Sequence, residues 1–314
     1  MEYSNIHGYK ISNLTLGTVA LGMNYGISNN EDKPDKAHSF GIISSALKAG
    51  INTLDTARGY GEAEQLIGDF LENKETNEPI NIVTKFRLSS ENLNNKEKTR
   101  AEIYNSVRSS LSLLKLKYIP ICLLHMNRRL PLHDVLEILP CIFSDLKNDG
   151  LIDLAGVSVD HPDEAPFFLE HPVIEAMQVP VNIFDTRIIK NGSLEKMYKE
   201  DKVVFARSIF LQGLFFMKPH NLKGNLAEAA KYIETLQDIA RRANISIAQL
   251  AFSFTNNLQG ISSIVFGAVN QDQVKQNIGL SETGVINDEI KELIKSRFDE
   301  VPEHIITPGQ WSFI

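Results

Sequence analysis

Cysteine is scarce in this chain, and its scarcity excludes several classes of protein. Among 314 residues only Cys122 and Cys141 are cysteines, and each lies in an apolar stretch. A disulfide framework or a thiolate metal centre requires more cysteines at closer spacing. We therefore expect two buried free thiols in a reducing compartment. The sequence also shows no cluster of residues with metal-ligand spacing, so no bound metal is predicted.

The chain also has no excess of basic residues and no long apolar run. The 32 Lys and Arg residues against 39 Asp and Glu give a net charge of −7, which argues against nucleic acid or an anionic membrane as the main partner. No apolar run approaches the ~20 residues of a membrane helix. Residues 1–6 lack the pattern of a signal peptide. These features predict a cytoplasmic protein that acts on a small molecule, and they leave its oligomeric state open.

Short runs rich in Val and Ile alternate regularly with segments of helical periodicity. The runs lie at residues 14–17, 51–55, 80–85, 119–125, 155–159, 176–181, 203–207 and 261–267. Eight strand-and-helix units predict a parallel sheet that is covered by helices. The sheet can close into a barrel or stay open and doubly wound. The even spacing favours an α/β protein with a (β/α)8 TIM barrel as a single domain over residues 1–314.

The open sheet is disfavoured because no G-x-G-x-x-G motif follows the first predicted strand. A stretch rich in Phe and Gly at about 209–227 and a helix near 287–297 do not fit the eight units. We interpret them, together with the C-terminal loop, as additions to the barrel.

Four ionisable residues lie at or just after the ends of three neighbouring predicted strands. Asp55 ends the second strand and Tyr60 follows it, Lys85 ends the third strand, and His125 ends the fourth. Active sites of (β/α)8 barrels form where the strands end. The four side chains are therefore expected to meet in a catalytic site.

These residue types together are suited to proton transfer to an oxygen atom. A tyrosine phenol has a pKa of about 10, and a nearby lysine ammonium favours the phenolate. An aspartate can hold the lysine in place, and a histidine can orient or share the proton. The set contains no evident nucleophile. It is typical of hydride transfer to a carbonyl, with the hydride supplied by a cofactor.

Residues 55–61, with the sequence Asp-Thr-Ala-Arg-Gly-Tyr-Gly, resemble the D-T-A-x-x-Y-G signature of the aldo-keto reductase family. The resemblance extends over essentially the whole chain, through residues 16–18, 156–158, Gln178 and 267–277. It implies a (β/α)8 fold and the reduction of aldehydes or ketones with NADPH or NADH, or the reverse oxidation. It also implies the catalytic residues Asp55, Tyr60, Lys85 and His125.

The resemblance further implies a nicotinamide cofactor, NADP(H) or NAD(H), and the residues that bind it. Ser158 and Gln178 are expected to bind the carboxamide, Gly267 and the following helix the pyrophosphate, and Gln276 and Asn277 the adenine. The full set of implied cofactor residues is Thr18, Asp55, Ser158, Gln178, Arg207, Ser208, Phe210, Gln212, Gly267, Ala268, Gln273, Gln276 and Asn277.

The chain departs from the family pattern at three places in the implied cofactor site. Val159 stands where the family often has Asn, and Arg207 stands where a tyrosine stacks on the nicotinamide. A planar guanidinium can also stack on a ring. Gly267, Ala268 and Gln273 stand where many members have Lys, Ser and Arg that hold the 2′-phosphate of NADPH. We therefore predict weakened 2′-phosphate contacts, with relaxed specificity or use of NADH.

Residues in the loops above the strands are predicted to contact the substrate, because barrel enzymes place specificity there. The mixture of apolar, amide and cationic side chains is compatible with a sugar-like aldehyde. The predicted substrate contacts are Met23, Tyr25, Arg58, Tyr60, His125, Asn127 and Trp311.

Two other functions remain open from the sequence. A cofactor-binding regulatory or redox-sensing subunit on the same fold is the main alternative, and an intact set of four catalytic residues argues against it. A hydrolase or aldolase that uses Lys85 as a Schiff base is the other. An adjacent Asp55 would keep that lysine charged, which disfavours this chemistry.

Overall fold

Eight parallel strands close into a barrel in the computed structural model, which describes residues 1–24, 33–73, 78–282, 284 and 286–312. The strands of the described residues are β1 Tyr3–Ile6, β2 Tyr9–Ser12, β3 Leu14–Gly17, β4 Thr53–Asp55, β5 Asn81–Phe86, β6 Ile119–His125, β7 Ile152–Ser158, β8 Ile174–Pro180, β9 Val203–Arg207 and β10 Ser263–Gly267. The barrel order is β10-β3-β4-β5-β6-β7-β8-β9, and an antiparallel pair, β1 and β2, lies outside it. The predicted (β/α)8 barrel is confirmed.

Helices cover the outside of the barrel and follow the strands in the order that the sequence predicts. Those of the described residues are α1 Val19–Gly22, α2 Lys36–Lys48, α3 Ala63–Asn73, α4 Lys96–Leu114, α5 Leu132–Asn148, α6 Ala165–Phe168, α7 Arg187–Lys190, α8 Ser193–Lys199, α9 Ala230–Arg242, α10 Ile247–Asn256, α11 Gln271–Ser281, α12 Asp288–Arg297 and α13 Glu303–Ile306. No helix in this part of the chain combines the length and apolar character that a membrane span requires.

The barrel strands are mostly apolar and largely buried because both of their faces are covered. All six residues of β5 are buried. One set of side chains fills the barrel interior and includes Val83, Ile121, Leu123 and Phe205. The alternate set packs outward under the helices and includes Ile82. This rigid sheet fixes the positions of the residues that emerge at its carboxyl ends.

The N-terminal pair β1–β2 closes the opposite end of the barrel and was not predicted from the sequence. Its turn is His7 and Gly8, with φ of 51° and 82°, which suits a two-residue hairpin. Ile11 of β2 is fully buried with the side chains of the barrel interior. The Asn52 and Asn81 side chains, at the start of β4 and β5, both donate to the Lys10 carbonyl at 2.8 Å. The hairpin thus seals the barrel below the strands.

The predicted additions are present, in part with a different form. The stretch after β9 folds into short 3-10 turns at Leu211–Phe216, Pro219–Asn221 and Gly224–Ala229, ahead of α9. Together with α12 and α13 these turns build a second apolar core around Phe184, Phe215 and Phe298. This core supports the loop that follows β9.

The expectation of two buried thiols is correct for Cys122 and wrong for Cys141. Cys122 lies within β6 and is buried, whereas Cys141 is exposed. The apolar neighbours of Cys141 belong to α5, whose buried positions include Leu139, Ile142 and Phe143. A helix turns successive residues to different faces, so Cys141 points outward although the residues around it are apolar.

Candidate active site

The loop from Asp55 to Glu64 is held against the end of the barrel by close backbone contact. Gly61 has φ of +57°, and a Cβ there would lie 2.3 Å from the Gly22 carbonyl oxygen. A Cβ on Gly22 would in turn lie 1.8 Å from the carbonyl oxygen of Tyr60. The Arg58 amide donates to the Lys85 carbonyl at 2.9 Å. These two glycines allow the contact that places Tyr60 above the strands.

Replacing Gly61 with alanine is expected to destabilise the fold by about 1–3 kcal/mol, because alanine is strained at positive φ and its Cβ meets the Gly22 carbonyl. Urea unfolding measures the decrease in the free energy of unfolding. Because the substitution also displaces Tyr60, turnover should fall as well. The control is Gly279→Ala, since Gly279 lies in α11 with open space around its Cβ position. Equal stability of the two variants would contradict the role assigned to Gly61.

The structure brings Asp55, Lys85, Tyr60 and His125 together at the carboxyl ends of β4, β5 and β6. The Lys85 ammonium donates to Asp55 Oδ1 at 2.6 Å and to the Thr56 carbonyl at 2.8 Å. It also lies 3.5 Å from the Tyr60 hydroxyl oxygen. A fully buried cation therefore contacts both the aspartate and the phenol.

Lys85 is charged in this environment. Burial alone would lower the pKa of its amine, but attraction to Asp55 and to Tyr60 outweighs burial and raises that pKa above its ordinary value. A charged amine is not a nucleophile, because it has no free electron pair. The lysine is suited instead to stabilising negative charge on the phenol oxygen.

His125 is neutral and packs against Tyr60. The two rings meet edge to face, with centroids 6.0 Å apart and an interplanar angle of 90°. Burial lowers the pKa of His125 to about 3, with repulsion from Lys85, Arg87 and Arg207 acting in the same direction. Its Nδ1 atom is buried without a hydrogen-bond partner among the described residues. The neutral ring can share a hydrogen bond with a substrate oxygen.

A chain of polar side chains connects the site to the neighbouring strands. Gln178 on β8 donates from Nε2 to Asp55 Oδ1 at 2.7 Å. Ser158 on β7 donates to Gln178 Oε1 at 3.1 Å. The backbone amide and the hydroxyl of Thr18 each donate to the Asp55 carbonyl at 2.9 Å. Asp55 is thereby fixed from three sides, which orients Lys85.

The segment after β9 is unusual in its backbone. Ser208, Leu211 and Gln212 have φ of 62°, 48° and 52°, although residues other than glycine rarely adopt positive φ. Arg207 donates to the Val159 carbonyl at 2.9 Å and to the Ser208 hydroxyl at 3.1 Å. Such strained backbone is often found at functional sites.

A cavity of about 1070 Å³ extends from Asp55, Tyr60 and His125 to β10 and α11. Its volume is in the range of sites that hold small molecules and cofactors. Predicted residues on its wall are Met23, Asp55, Tyr60, His125, Gln178, Arg207, Ser208, Phe210, Gln212, Gly267, Gln273, Gln276 and Asn277. Residues from distant parts of the sequence thus meet in a single space.

Seven other predicted residues lie away from this wall, among them Lys85, which is fully buried. Thr18, Ser158 and Ala268 are buried behind it. Arg58 pairs with the buried Glu64 at 2.7 Å, and the Trp311 indole donates to the Ile305 carbonyl at 3.0 Å. Asn127 lines a separate cavity of about 320 Å³. Tyr25 lies outside the described residues.

The residues present suit a dinucleotide at the β10–α11 end of the cavity. A Cβ on Gly267 would meet no atom within 4 Å, so the backbone there is open to close approach. Asn277 Oδ1 is buried without a partner among the described residues, and a ligand amino group would satisfy it. Asn270 caps α11 by accepting from the Gln273 amide at 2.9 Å. The helix begins beside the cavity, where an anion is stabilised.

Several cavity residues were not predicted from the sequence. They include Gly59, Arg87, Asp160, Ser246 and Gln249. Arg87 had a usable signal, because it follows Lys85 by two positions and strand side chains alternate. The others come from loops and a helix end, whose approach to the barrel is set by tertiary packing.

A (β/α)8 barrel with this lysine, tyrosine, aspartate and histidine above its strands has the arrangement of an enzyme that transfers protons at a substrate oxygen. Residues 13–297 match the family model of the Aldo/keto reductase family, and the chain belongs to that family. It is an NAD(P)H-dependent oxidoreductase that acts on carbonyl or alcohol groups.

Comparison with known proteins gives distant relatives of similar length. An uncharacterised oxidoreductase of Bacillus subtilis is 24% identical over 85% of this chain and 88% of its own length. An NADH-specific methylglyoxal reductase of Escherichia coli is 26% identical over 85% and 89%. The holo structure of an aldo-keto reductase from Bacillus halodurans superposes with a TM-score of 0.76 at 21% identity, covering 97% of this chain and 99% of that one.

Proposed function

We propose that this protein reduces a short aldehyde or ketone, of which a sugar-like aldehyde is one candidate, to an alcohol, and can run the reverse oxidation. Tyr60 is the general acid for reduction and the general base for oxidation. The observation that carries the proposal is the position of the buried Lys85 ammonium, 2.6 Å from Asp55 and 3.5 Å from the Tyr60 hydroxyl.

Proton donation by Tyr60 leaves a phenolate, and the chain holds a positive charge beside it. Lys85 is already ionised and fixed by Asp55, so little reorganisation is needed when negative charge develops on the phenol oxygen. His125 is neutral and faces the same phenol, so it can hydrogen-bond the substrate oxygen without competing for charge. The Tyr60 proton thus moves to the carbonyl oxygen, and the phenolate that remains is stabilised by the Lys85 ammonium.

The cofactor side of the site is assigned to β8, β9, β10 and α11. When bound, the nicotinamide cofactor supplies the hydride in reduction. Gln178 would hold the carboxamide end, with Ser158 orienting Gln178 from behind. Arg207 would lie against the ring, because Val159 and Ser208 keep its guanidinium on the cavity wall. The α11 end would hold the pyrophosphate and adenine.

We expect NADPH to bind less than tenfold more tightly than NADH. Among the described residues of the wall, no cation comes from β10 or α11, and Gln273 uses Oε1 to accept from the Val269 amide at 3.0 Å. A charge-assisted hydrogen bond contributes about 1.5–3 kcal/mol. Gln273→Arg should therefore shift preference towards NADPH by about tenfold or more.

Fluorescence titration of both cofactors measures this preference. The matched control is Gln237→Arg, which adds the same charge on α9, outside the wall of the cavity. A wild-type protein that binds NADPH tenfold or more tightly than NADH would refute the expected loss of 2′-phosphate contacts.

The geometry disfavours a Schiff-base mechanism. Lys85 is fully buried, and attraction to Asp55 and Tyr60 outweighs burial and raises its pKa, so its amine does not attack a carbonyl. A purely regulatory subunit would have no need for a phenol between a buried ammonium and an imidazole.

A turnover assay separates these functions. NADH and NADPH oxidation, followed at 340 nm with short aldehydes, sugars and quinones, should show cofactor consumption. No cofactor consumption with any of these compounds would oppose the proposal.

A further inference from the structure

Arg87 is a cavity residue that the proposed mechanism does not use. It follows β5 and stands two positions beyond Lys85, so both side chains leave the strand on the same side. A Cβ on Gly59 would lie 2.9 Å from Arg87 Cζ. The guanidinium therefore covers the backbone immediately before Tyr60, and it shares the cavity wall with Tyr60 and His125.

Within the described residues, Arg87 forms no ion pair or side-chain hydrogen bond, whereas five of the eleven arginines of the chain contact a carboxylate. These five are Arg58, Arg100, Arg128, Arg187 and Arg241. The Arg87 side chain is exposed to the cavity. Its five donors in a fixed fork match the geometry of a carboxylate or a phosphate.

The charges around Arg87 favour an anion in this part of the cavity. The carboxylates on the described wall are Asp55 and Asp160. Asp55 pairs with Lys85 at 2.6 Å, and Asp160 lies 3.6 Å from Arg128. The second wall arginine, Arg207, donates to a carbonyl and a hydroxyl. The wall thus carries two guanidinium groups whose charge no carboxylate of the described residues neutralises.

Strand order separates Arg87 from the region assigned to the cofactor. In the closed barrel β5 lies four strands from β9, which is the position directly across the ring. Apart from Asp55, the proposed cofactor residues on the wall lie on β8, β9, β10 and α11 or in the segment after β9, whereas Arg87 rises beside Tyr60 on the far side. A ligand group that contacts Arg87 while its carbonyl meets Tyr60 belongs to the substrate.

We propose that Arg87 is a specificity-determining residue that binds an anionic group of the substrate, so that the enzyme prefers short carbonyl compounds carrying a carboxylate or a phosphate. This inference rests on the proposed reductase function. Tyr60 and Arg87 are neighbours in space, so the anionic group lies only a few carbon atoms from the reacting carbonyl. The guanidinium orients the carbonyl towards Tyr60 and His125 and takes no part in proton transfer.

The test compares matched substrates that differ in charge. Succinic semialdehyde and butanal form one pair, and glyceraldehyde 3-phosphate and glyceraldehyde form the other. In the wild type, kcat/KM for the anionic substrate divided by kcat/KM for the neutral one should exceed about ten for one pair, since a charge-assisted hydrogen bond contributes a factor of about that size. The preferred pair distinguishes a carboxylate from a phosphate. Arg87→Met should reduce the ratio at least about tenfold, mainly through KM, and Arg87→Lys should retain part of it.

Arg242→Met, which removes an exposed charge from the end of α9, is the control and should leave the ratio unchanged. Calorimetric titration with succinate and with inorganic phosphate, on wild type and Arg87→Met, gives a readout that does not need turnover. If the wild type binds an anion and Arg87→Met does not, the inference about Arg87 is supported. If no aldehyde is reduced in that case, only the reductase proposal fails. Turnover with equal ratios in wild type and Arg87→Met, or anion binding unchanged by the substitution, overturns the inference.

Discussion

Replacing Tyr60 with Phe is expected to lower kcat by about 10²–10⁴-fold, the usual contribution of general acid catalysis. Phenylalanine keeps the ring and its edge-to-face contact with His125 but removes the group that donates the proton. The cofactor residues are unaffected, so the dissociation constants of NADH and NADPH should stay within about twofold of wild type. Steady-state assays and fluorescence titration measure the two quantities separately.

Tyr198→Phe is the matched control for this variant. Tyr198 lies in α8 and is half exposed, and loss of its hydroxyl should not change kcat. If Tyr60→Phe retained more than a tenth of wild-type turnover with the preferred substrate, another group would have to donate the proton. His125 would then be the first candidate, because it shares the cavity wall with Tyr60.

The second large effect is expected at the buried ion pair. Lys85→Met leaves the Asp55 carboxylate buried without its cation, and removal of one partner of a buried pair costs about 3–5 kcal/mol. The double variant Asp55→Asn with Lys85→Met removes both charges. It should be more stable than Lys85→Met, because Gln178 can still donate to the residue at position 55.

Urea unfolding of the wild type, both single variants and the double variant measures the coupling free energy. We expect the double variant to lose clearly less stability than the sum of the single losses, and all three to lack activity. Additive losses would show that Lys85 and Asp55 contribute independently to folding. In that case the short contact between them would not explain why Lys85 is ionised.

The fold and the meeting of Asp55, Tyr60, Lys85 and His125 could be predicted from the sequence because both follow from the pattern of strands. Each apolar run is a strand buried on two faces, and parallel strands bring their carboxyl ends to the same side of the barrel. Asp55, Lys85 and His125 lie at the carboxyl ends of neighbouring strands, so their meeting follows from the strand order. Tyr60 meets them because Gly22 and Gly61 let its loop approach the barrel closely.

The remaining features depend on tertiary contacts that local pattern does not encode. Gln178 donates to Asp55 across 123 positions of sequence, and nothing near either residue indicates that bond. Arg58 was expected to face the substrate, but it pairs with Glu64, a buried residue in the first turn of α3. The hairpin turn at His7 and Gly8 had a readable signal in its glycine. Its role became evident only from the buried Ile11 and the two asparagines that bind the Lys10 carbonyl.

The hairpin β1–β2 has a consequence for how this protein can be modified. It closes the end of the barrel away from Tyr60, and its tyrosines attach it to the outer surface: Tyr3 donates to the Gly50 carbonyl at 2.9 Å and Tyr9 to Asp153 at 2.6 Å. The hairpin that closes the barrel and the proposed catalytic site therefore lie at opposite ends of the barrel. Substitutions that stabilise the hairpin end can be selected first by directed evolution. The added stability can then offset the destabilisation caused by changing the loops around Arg87 and Arg207.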